Sequence, residues 1–340
     1  MIERFIDDDL TLKRWRRFKS RRTAVWSGVA LLVALFLTLI APILANSKPL
    51  YMSYNGNSYF PVFVDYHPKD FGIKDSLVVN YRKLSKEESA SSVWPIIKWD
   101  PFESNKEVDS YPSGPSSSNW LGTDDRGRDV MARLLYGFKY SISYAFFVWL
   151  LTFFLGTIIG GVMGYAGGKV DFIGQRFVEV LSTVPQFFLL IILISIFTPN
   201  LWWLVAISSI FGWIPISYYV RGEFLQNRKK DFVEGARALG ATHFSLIFKH
   251  ILPNSLTSVI TFAPFTISAN IVGLASLDYL GFGLEIPTPS WGELLAQAQK
   301  HISDGWWLAV FPSLALFFTL TFMNLLGEGV RDAMDPNMSN

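Results

Sequence analysis

Few residues in this chain have the type and spacing to do chemistry. There is no cysteine, which excludes disulfides, thiolate metal sites and cysteine nucleophiles. Four scattered histidines, His67, His243, His250 and His301, make no obvious metal cluster, and each reads as a satisfied or solvated imidazole. Asp124, Asp125 and Asp129 form an acidic group without the spacing of a calcium loop. Gly167-Gly168-Lys169 has the outline of a phosphate loop. Its first glycine would have to be Met163, and its hydroxyl position is Val170, so no nucleotide site is expected.

The conspicuous polar device is residues 231–255, DFVEGARALGATHFSLIFKHILPNS. Asp231 followed three residues later by Glu234 reads as a capping box that opens a short helix. Gly240 sits where a helix end needs a left-handed residue. Thr242 can cap a second short helix, in which Phe244, Ile247, Phe248 and Ile251 fall at i, i+3, i+4 and i+7. Pro253 either stops that helix or opens the next, because it has no backbone donor. Two short helices with an apolar stripe can dock into a partner or lie in the lipid headgroups, and helix grammar alone leaves both open.

The elements that carry this loop are apolar. Half the residues are hydrophobic, 16% are aromatic, and mean hydropathy is +0.29. The apolar residues cluster in spans of about twenty, enough to cross roughly 30 Å of hydrocarbon. The expected fold is therefore an all-α polytopic membrane protein with six transmembrane helices and an external insert of mixed or β character. A net charge of +2 gives no reason to expect a nucleic-acid partner.

Residues 1–23 carry Arg4, Lys13, Arg14, Arg16, Arg17, Lys19, Arg21 and Arg22, so the positive-inside rule places the amino terminus in the cytoplasm. The first span is 24–45, too long and too poor in cleavage features for a signal peptide. The insert with an interfacial helix occupies 46–139. Asn55-Gly56 between aromatics signals a hairpin, Trp94–Trp99 a further strand, and Pro112–Ser118 a linker. Two roles are open for the insert: a small domain that touches substrate or a binding protein, or a cover that holds the first span. Asp129 should open an interfacial helix with Val130, Leu134 and Leu135 on its apolar side, ending near Gly137.

A five-helix core spans 140–330, with spans at about 140–165, 176–197, 201–220, 255–277 and 306–327 and a positive cytoplasmic loop at 221–254. A cytoplasmic tail, 331–340, follows. Gly156, Gly160, Gly161 and Gly164 provide close helix approach. Pro312 is a kink candidate, and Trp306 and Trp307 are interface anchors. Pro264 and Asn270 are weak candidates for the translocation path and read first as kink and packing residues.

Several motifs resemble the C-type permease subunit of oligopeptide and dipeptide ABC importers. Glu234-Gly235-Ala236, Gly240, His250, Leu252 and Pro253 are similar to that family's EAA loop, with Gly235 in place of its alanine. Leu121-Gly122-Thr123-Asp124 with Gly127-Arg128-Asp129 resembles its LGTD–GRD segment. Leu280-Gly281-Phe282-Gly283 and Pro287-Thr288-Pro289-Ser290-Trp291-Gly292-Glu293 resemble its external stretch. Gly327 to Pro336 resembles its GDGLRDALDP ending, with Glu328 for aspartate. The likeness covers 121–336 and, more loosely, the first span; residues 46–65 look like the microcin C-type peptide importer subgroup.

The resemblance implies that Glu234, Gly235, Ala236, Gly240, His250, Leu252 and Pro253 belong to a coupling loop that docks into a groove on a separate ATPase. It implies a homologous second permease, ATP-binding subunits and an extracytoplasmic binding protein as partners. It also implies an inner-membrane location with both termini cytoplasmic. No cofactor is expected in this chain; magnesium-ATP sits on the partner, and the chain is a transport subunit rather than an enzyme. Peptide cargo follows from the resemblance, with nickel and glutathione as the other cargoes of similar permeases; a chain without cysteine and poor in histidine offers nickel no ligand set.

Two other classes compete with this reading. An ion-coupled secondary transporter usually needs ionisable groups at mid-membrane, and the middle of each expected span has none; Glu179 and Glu328 lie near span ends. An embedded hydrolase needs a nucleophile–base or metal constellation, and no expected span holds a histidine or paired carboxylates.

Overall fold

The computed structural model describes residues 9–73, 76–196 and 200–335. Arg4, Thr198, Pro199, Pro336 and the rest of the tail lie outside the described residues.

The first expected span is preceded by a helix of its own. The basic α1 (Asp9–Ser20) turns at Arg21 into α2 (Arg22–Leu39), and α3 (Ala41–Leu44) follows. Hydrophobic side chains of α2 such as Trp26, Leu32, Phe36 and Leu39 point outward, as expected for a helix solvated by lipid.

The insert has a small core. Strands β1 (Tyr51–Tyr54), β2 (Asn57–Tyr59) and β3 (Ala90–Val93) form an antiparallel sheet in the order β2-β1-β3. Asn55 and Gly56 both adopt positive φ, 49° and 81°, so the expected hairpin closes through a two-residue turn. Met52, Tyr54, Phe71, Tyr81 and Leu84 fill the lobe, the last two from the short α4 (Tyr81–Leu84). The strand expected at Trp94–Trp99 lies earlier, at 90–93. Pro95 has no donor for a ladder, and Ile97 instead exchanges backbone hydrogen bonds with Leu44 and Asn46 below the first helix. The stretch 112–118 is a tied strap rather than a free linker, because the Thr123 amide donates to the Ser113 carbonyl at 2.8 Å and the Ser113 amide donates to Thr123 Oγ1 at 2.8 Å.

The separate interfacial helix is not formed. Asp129 does cap a helix, accepting from the Ala132 amide at 2.8 Å, but that helix is the 37-residue α5 (Val130–Ala166), continuous with the second span. Leu134 and Leu135 pack on protein, so nothing in the sequence near Gly137 terminates it. Gly137 marks a notch in which Trp291 sits, its indole donating to the Leu134 carbonyl at 2.9 Å.

Three of the four spans expected after α5 are broken near a proline, where the ring denies a donor and the preceding residue disfavours helix. Helices α6 (Gly168–Ser182) and α7 (Gln186–Ile196) meet at 71° before Pro185. Helices α8 (Leu201–Gly212) and α9 (Ile214–Asn227) meet at 45°, with Pro215 in the first turn of α9. Beyond a loop holding α10 (Asp231–Ala238) and α11 (His243–Ser245), α12 (Leu252–Ile260) and α13 (Ala263–Tyr279) divide the fifth expected span, with Pro264 opening α13. After α14 (Trp291–Lys300), α15 (Trp306–Met334) carries Pro312 within it; Trp306 is exposed, but Trp307 is buried and donates to the Thr123 carbonyl rather than anchoring an interface. Among the described residues three helices, α2, α5 and α15, are long and apolar enough to cross a membrane, or up to five if each bent pair counts as one span.

α5 is the spine. Its glycines at 156, 160 and 164 receive α9 so closely that a Cβ at Gly156 would stand 2.7 Å from Ile216, and one at Gly164 2.6 Å from Phe224. Asn270 of α13 donates to the Ala145 carbonyl at 3.2 Å, a packing contact. At the insert end, a buried ionic knot joins α5 to α14. Asp124 accepts from Arg128 Nε at 2.7 Å, Arg128 reaches Glu293 at 3.1 Å, and the fully buried Arg133 pairs with Glu293 and donates to the Pro101 carbonyl at 3.0 Å. Thus Asp124 and Asp129 of the acidic group seen in sequence are occupied by partners, whereas Asp125 Oδ1 is buried without a hydrogen bond. Burial, reinforced by Asp124, holds the Asp125 carboxyl above its ordinary range, and burial does the same to Asp129 against hydrogen bonds from Ala132 and Asn119.

At the opposite end, α1 clasps the end of α15. Arg17 donates to the Asp335 carbonyl at 3.0 Å, Arg21 pairs with Asp332, and Phe18 and Ala24 close over Gly329.

Candidate docking site

The polar loop between α9 and α12 is a built structure. Asn227 ends α9 and donates to Ser255 Oγ at 3.0 Å, with both residues buried, so the base of the loop is pinned shut. Lys230 occupies the N-cap of α10 with extended backbone and makes no side-chain cap, which puts Asp231 at the first helical position. The expected Asp231–Glu234 capping box is therefore not made; both carboxylates instead lie in the first turn, where they face the positive end of the helix dipole.

The far end of α10 follows the expectation closely. Gly240 has φ +84°, its amide donates to the Arg237 carbonyl at 3.0 Å, and the Ala241 amide donates to Ala236 at 3.0 Å. These are the two bonds of a Schellman stop. Thr242 then accepts from the Ser245 amide at 3.3 Å and caps α11.

From Leu246 to Ile251 the helix widens into a π turn before continuing as α12. Pro253 stands in the first turn of α12, so of its two readings it is the opening of the next helix that holds. The wider turn also breaks up the expected stripe of Phe244, Ile247, Phe248 and Ile251. Leu246 and Ile251, five apart, both face inward with Val233, Val220 and Phe224. Phe244 and Phe248 face outward with ring centroids 4.4 Å apart.

The expected site residues divide accordingly. Glu234, Gly235, Gly240 and Pro253 are exposed, whereas Ala236 and Leu252 pack against the loop's own core. His250 is half-buried, and its carbonyl accepts from Asn254 at 2.7 Å. Around the exposed members lie Phe232, Leu239, Phe244 and Phe248, all open to solvent, with Leu239 91% exposed at the tip. A rigid polar loop presenting four large apolar side chains has the form of a docking surface.

Sequence reading missed the ties between this loop and α5. Tyr165 Oη and His243 Nδ1 are 2.5 Å apart, and Arg228 donates to the Tyr165 carbonyl at 3.0 Å. Residues 78 positions apart leave no local pattern that could pair them.

A family model described as the binding-protein-dependent transport system inner membrane component matches residues 156–340, which include the whole loop. The chain belongs to that family. A second model, the N-terminal transmembrane domain of oligopeptide transport permease C, matches residues 12–65. The inner membrane ABC transporter permease protein YejE of Escherichia coli (strain K12) is 41% identical over 332 residues, covering 95% of this chain and 96% of that protein. The peptidoglycan transport system permease protein YejE of Agrobacterium fabrum (strain C58) is 35% identical and covers 96% of this chain and 93% of its own length. The dipeptide transport system permease protein DppC of Bacillus subtilis (strain 168) is 35% identical over 66% of this chain and 70% of its own. This permease is thus an inner-membrane component of an ABC transport system, in a family of transport subunits rather than catalysts.

Proposed function

We propose that this permease is the membrane-spanning subunit of an ATP-driven importer of peptides or peptide-like compounds, with six spans in the membrane. The observation that carries the reading is the pinned loop at 228–254, with Glu234, Gly235 and Gly240 on its surface beside four exposed apolar side chains. Such a loop offers a groove on another protein both shape and apolar area. Its occupant is a separate ATPase carrying magnesium-ATP; the partners are completed by a second homologous permease and an extracytoplasmic binding protein. The loop and both termini face the cytoplasm, in keeping with Arg228, Lys229, Lys230, Arg237 and Lys249 around the loop. Closure of the ATPases draws the loops together and rocks the helices between inward- and outward-facing states. Cargo of the peptide class is supported by the relatives' named cargoes, dipeptides in one and peptidoglycan in another.

The test is co-purification of the tagged chain from native membranes, with and without Glu234→Arg. Recovery of an ATPase and a second permease, with the ATPase weakened by the charge reversal, is the expected result. A homo-oligomer without an ATPase would sink this reading and return an ion-coupled transporter to first place.

A further inference from the structure

The docking loop is tied to the protein at points that its two flanking helices do not require. Asn227 and Ser255 close its base through a buried hydrogen bond. Arg228, the residue after α9, reaches across to the Tyr165 carbonyl at 3.0 Å, and its guanidinium fills the space that a Cβ on Gly167 would take. His243, the first residue of α11, meets the Tyr165 hydroxyl at 2.5 Å, with the rings edge to face. Tyr165 therefore receives the loop at two points, Arg228 on its backbone and His243 on its side chain. Tyr165 lies one residue from the end of α5, the helix already locked to α9 along Gly156, Gly160 and Gly164.

We infer that Tyr165, Arg228 and His243 are positioning residues that make the docking loop and α5 one rigid body, so that loop displacement is delivered to the far end of α5. This rests on the docking role proposed above and adds the route of transmission. Without these ties, a pull on the loop reaches α5 only through α9, and on the other side it can be absorbed at the break between α12 and α13. With them, the pull enters a helix of 37 residues, about 55 Å long, that is unbroken from the loop to the ionic knot on α14. The knot then passes the movement to the insert end, where Arg128 and Arg133 of this body hold Glu293. Coupling of this kind needs an element with two positions that both ends bias, and the α5–α9–loop unit is that element.

The absence of cysteine makes the idea directly measurable. Spin labels at Lys249→Cys in the loop and Lys139→Cys near the far end of α5, both at exposed lysines, report the separation within the proposed rigid body in the purified transporter with its ATPase bound. The separation should be the same, to about 1 Å, without nucleotide and in the ATP–vanadate trapped state, whereas in Tyr165→Phe with Arg228→Met it should become nucleotide-dependent by several Å. His243→Phe should act in the same direction, and His243→Asn, which keeps a hydrogen-bonding atom near Nδ1, should restore a fixed separation. A nucleotide-dependent separation in the parent protein, or a fixed one in the Tyr165–Arg228 variant with ATPase still bound, overturns the transmission role and leaves docking intact. If Glu234→Arg holds the ATPase as well as the parent does, the docking reading fails, and this inference with it. Loss of the ATPase from the Tyr165–Arg228 variant would make these residues part of the docking surface and would overturn transmission as their role.

Discussion

Two glycines of the loop between α9 and α12, five positions apart, have opposite physical meaning. Gly240 is at φ +84°, where its amide and that of Ala241 stop α10, yet the space around it is empty. A side chain there is resisted by backbone strain rather than by collision, at roughly 1–2 kcal/mol for a non-glycine residue and more for a β-branched one. Gly240→Val should therefore leave the protein inserted in the membrane but untie the turn, with transport abolished and ATPase retention reduced. Gly240→Asn, which tolerates the left-handed region, should keep most of both. Gly235 is helical with open space at its Cβ, so Gly235→Ala, the residue the family motif carries, should be neutral in transport assays. Normal uptake by Gly240→Val would mean that the turn is not part of coupling.

At the scale of elements, the ties between helices matter more than any one helix. Glu293 shares with Asp124 the compensation of two buried arginines, Arg128 and Arg133, and is the partner that lies across the α5–α14 junction. Glu293→Ala would leave Arg133 with carbonyl partners and an Asp124 carboxylate 3.4 Å away, a loss of about 3–5 kcal/mol. The expected result is a large drop in thermal stability of the detergent-solubilised protein, with Glu293→Gln falling less because it keeps an acceptor oxygen. A melting temperature unchanged by Glu293→Ala would show the knot to be incidental. This junction also marks where sequence reading stops. The hairpin at Asn55-Gly56, the cap at Thr242 and the stop at Gly240 were legible because each is a local backbone demand met by one residue type. The bends before Pro185 and at Pro215 carried a local signal, yet counting apolar residues merged each bent pair into one span. The knot was illegible, since Asp124 and Glu293 are far apart in sequence and each alone looks like a surface acid. The π turn was hidden for another reason, as its register change depends on packing of Leu246 and Ile251 against α9.

At the scale of the whole molecule, the ends of the described chain and the loop between α9 and α12 should share one side of the membrane, with the insert on the other. The clasp of Arg17 and Arg21 on Asp335 and Asp332 brings the two ends of the described chain together beside Gly329, whereas the insert meets Trp307 through Thr123 and the knot through Pro101, at the opposite end of α5 and α15. An odd number of crossings must separate α1 from the lobe, and α2, 18 residues and about 27 Å long, supplies one. If the six-span reading is right, the bent pairs α6–α7 and α8–α9 each cross once, and α12 with α13 crosses together. Single cysteines decide it, because the parent offers no background thiol. Lys106→Cys in the insert should react with a membrane-impermeant maleimide in intact spheroplasts. Lys249→Cys in the loop should react only after permeabilisation. Both positions are exposed, so failure to label cannot be put down to burial. Reaction of both from the same side would require an even number of crossings between them; it would exclude six spans and separate the loop from the compartment that holds ATP.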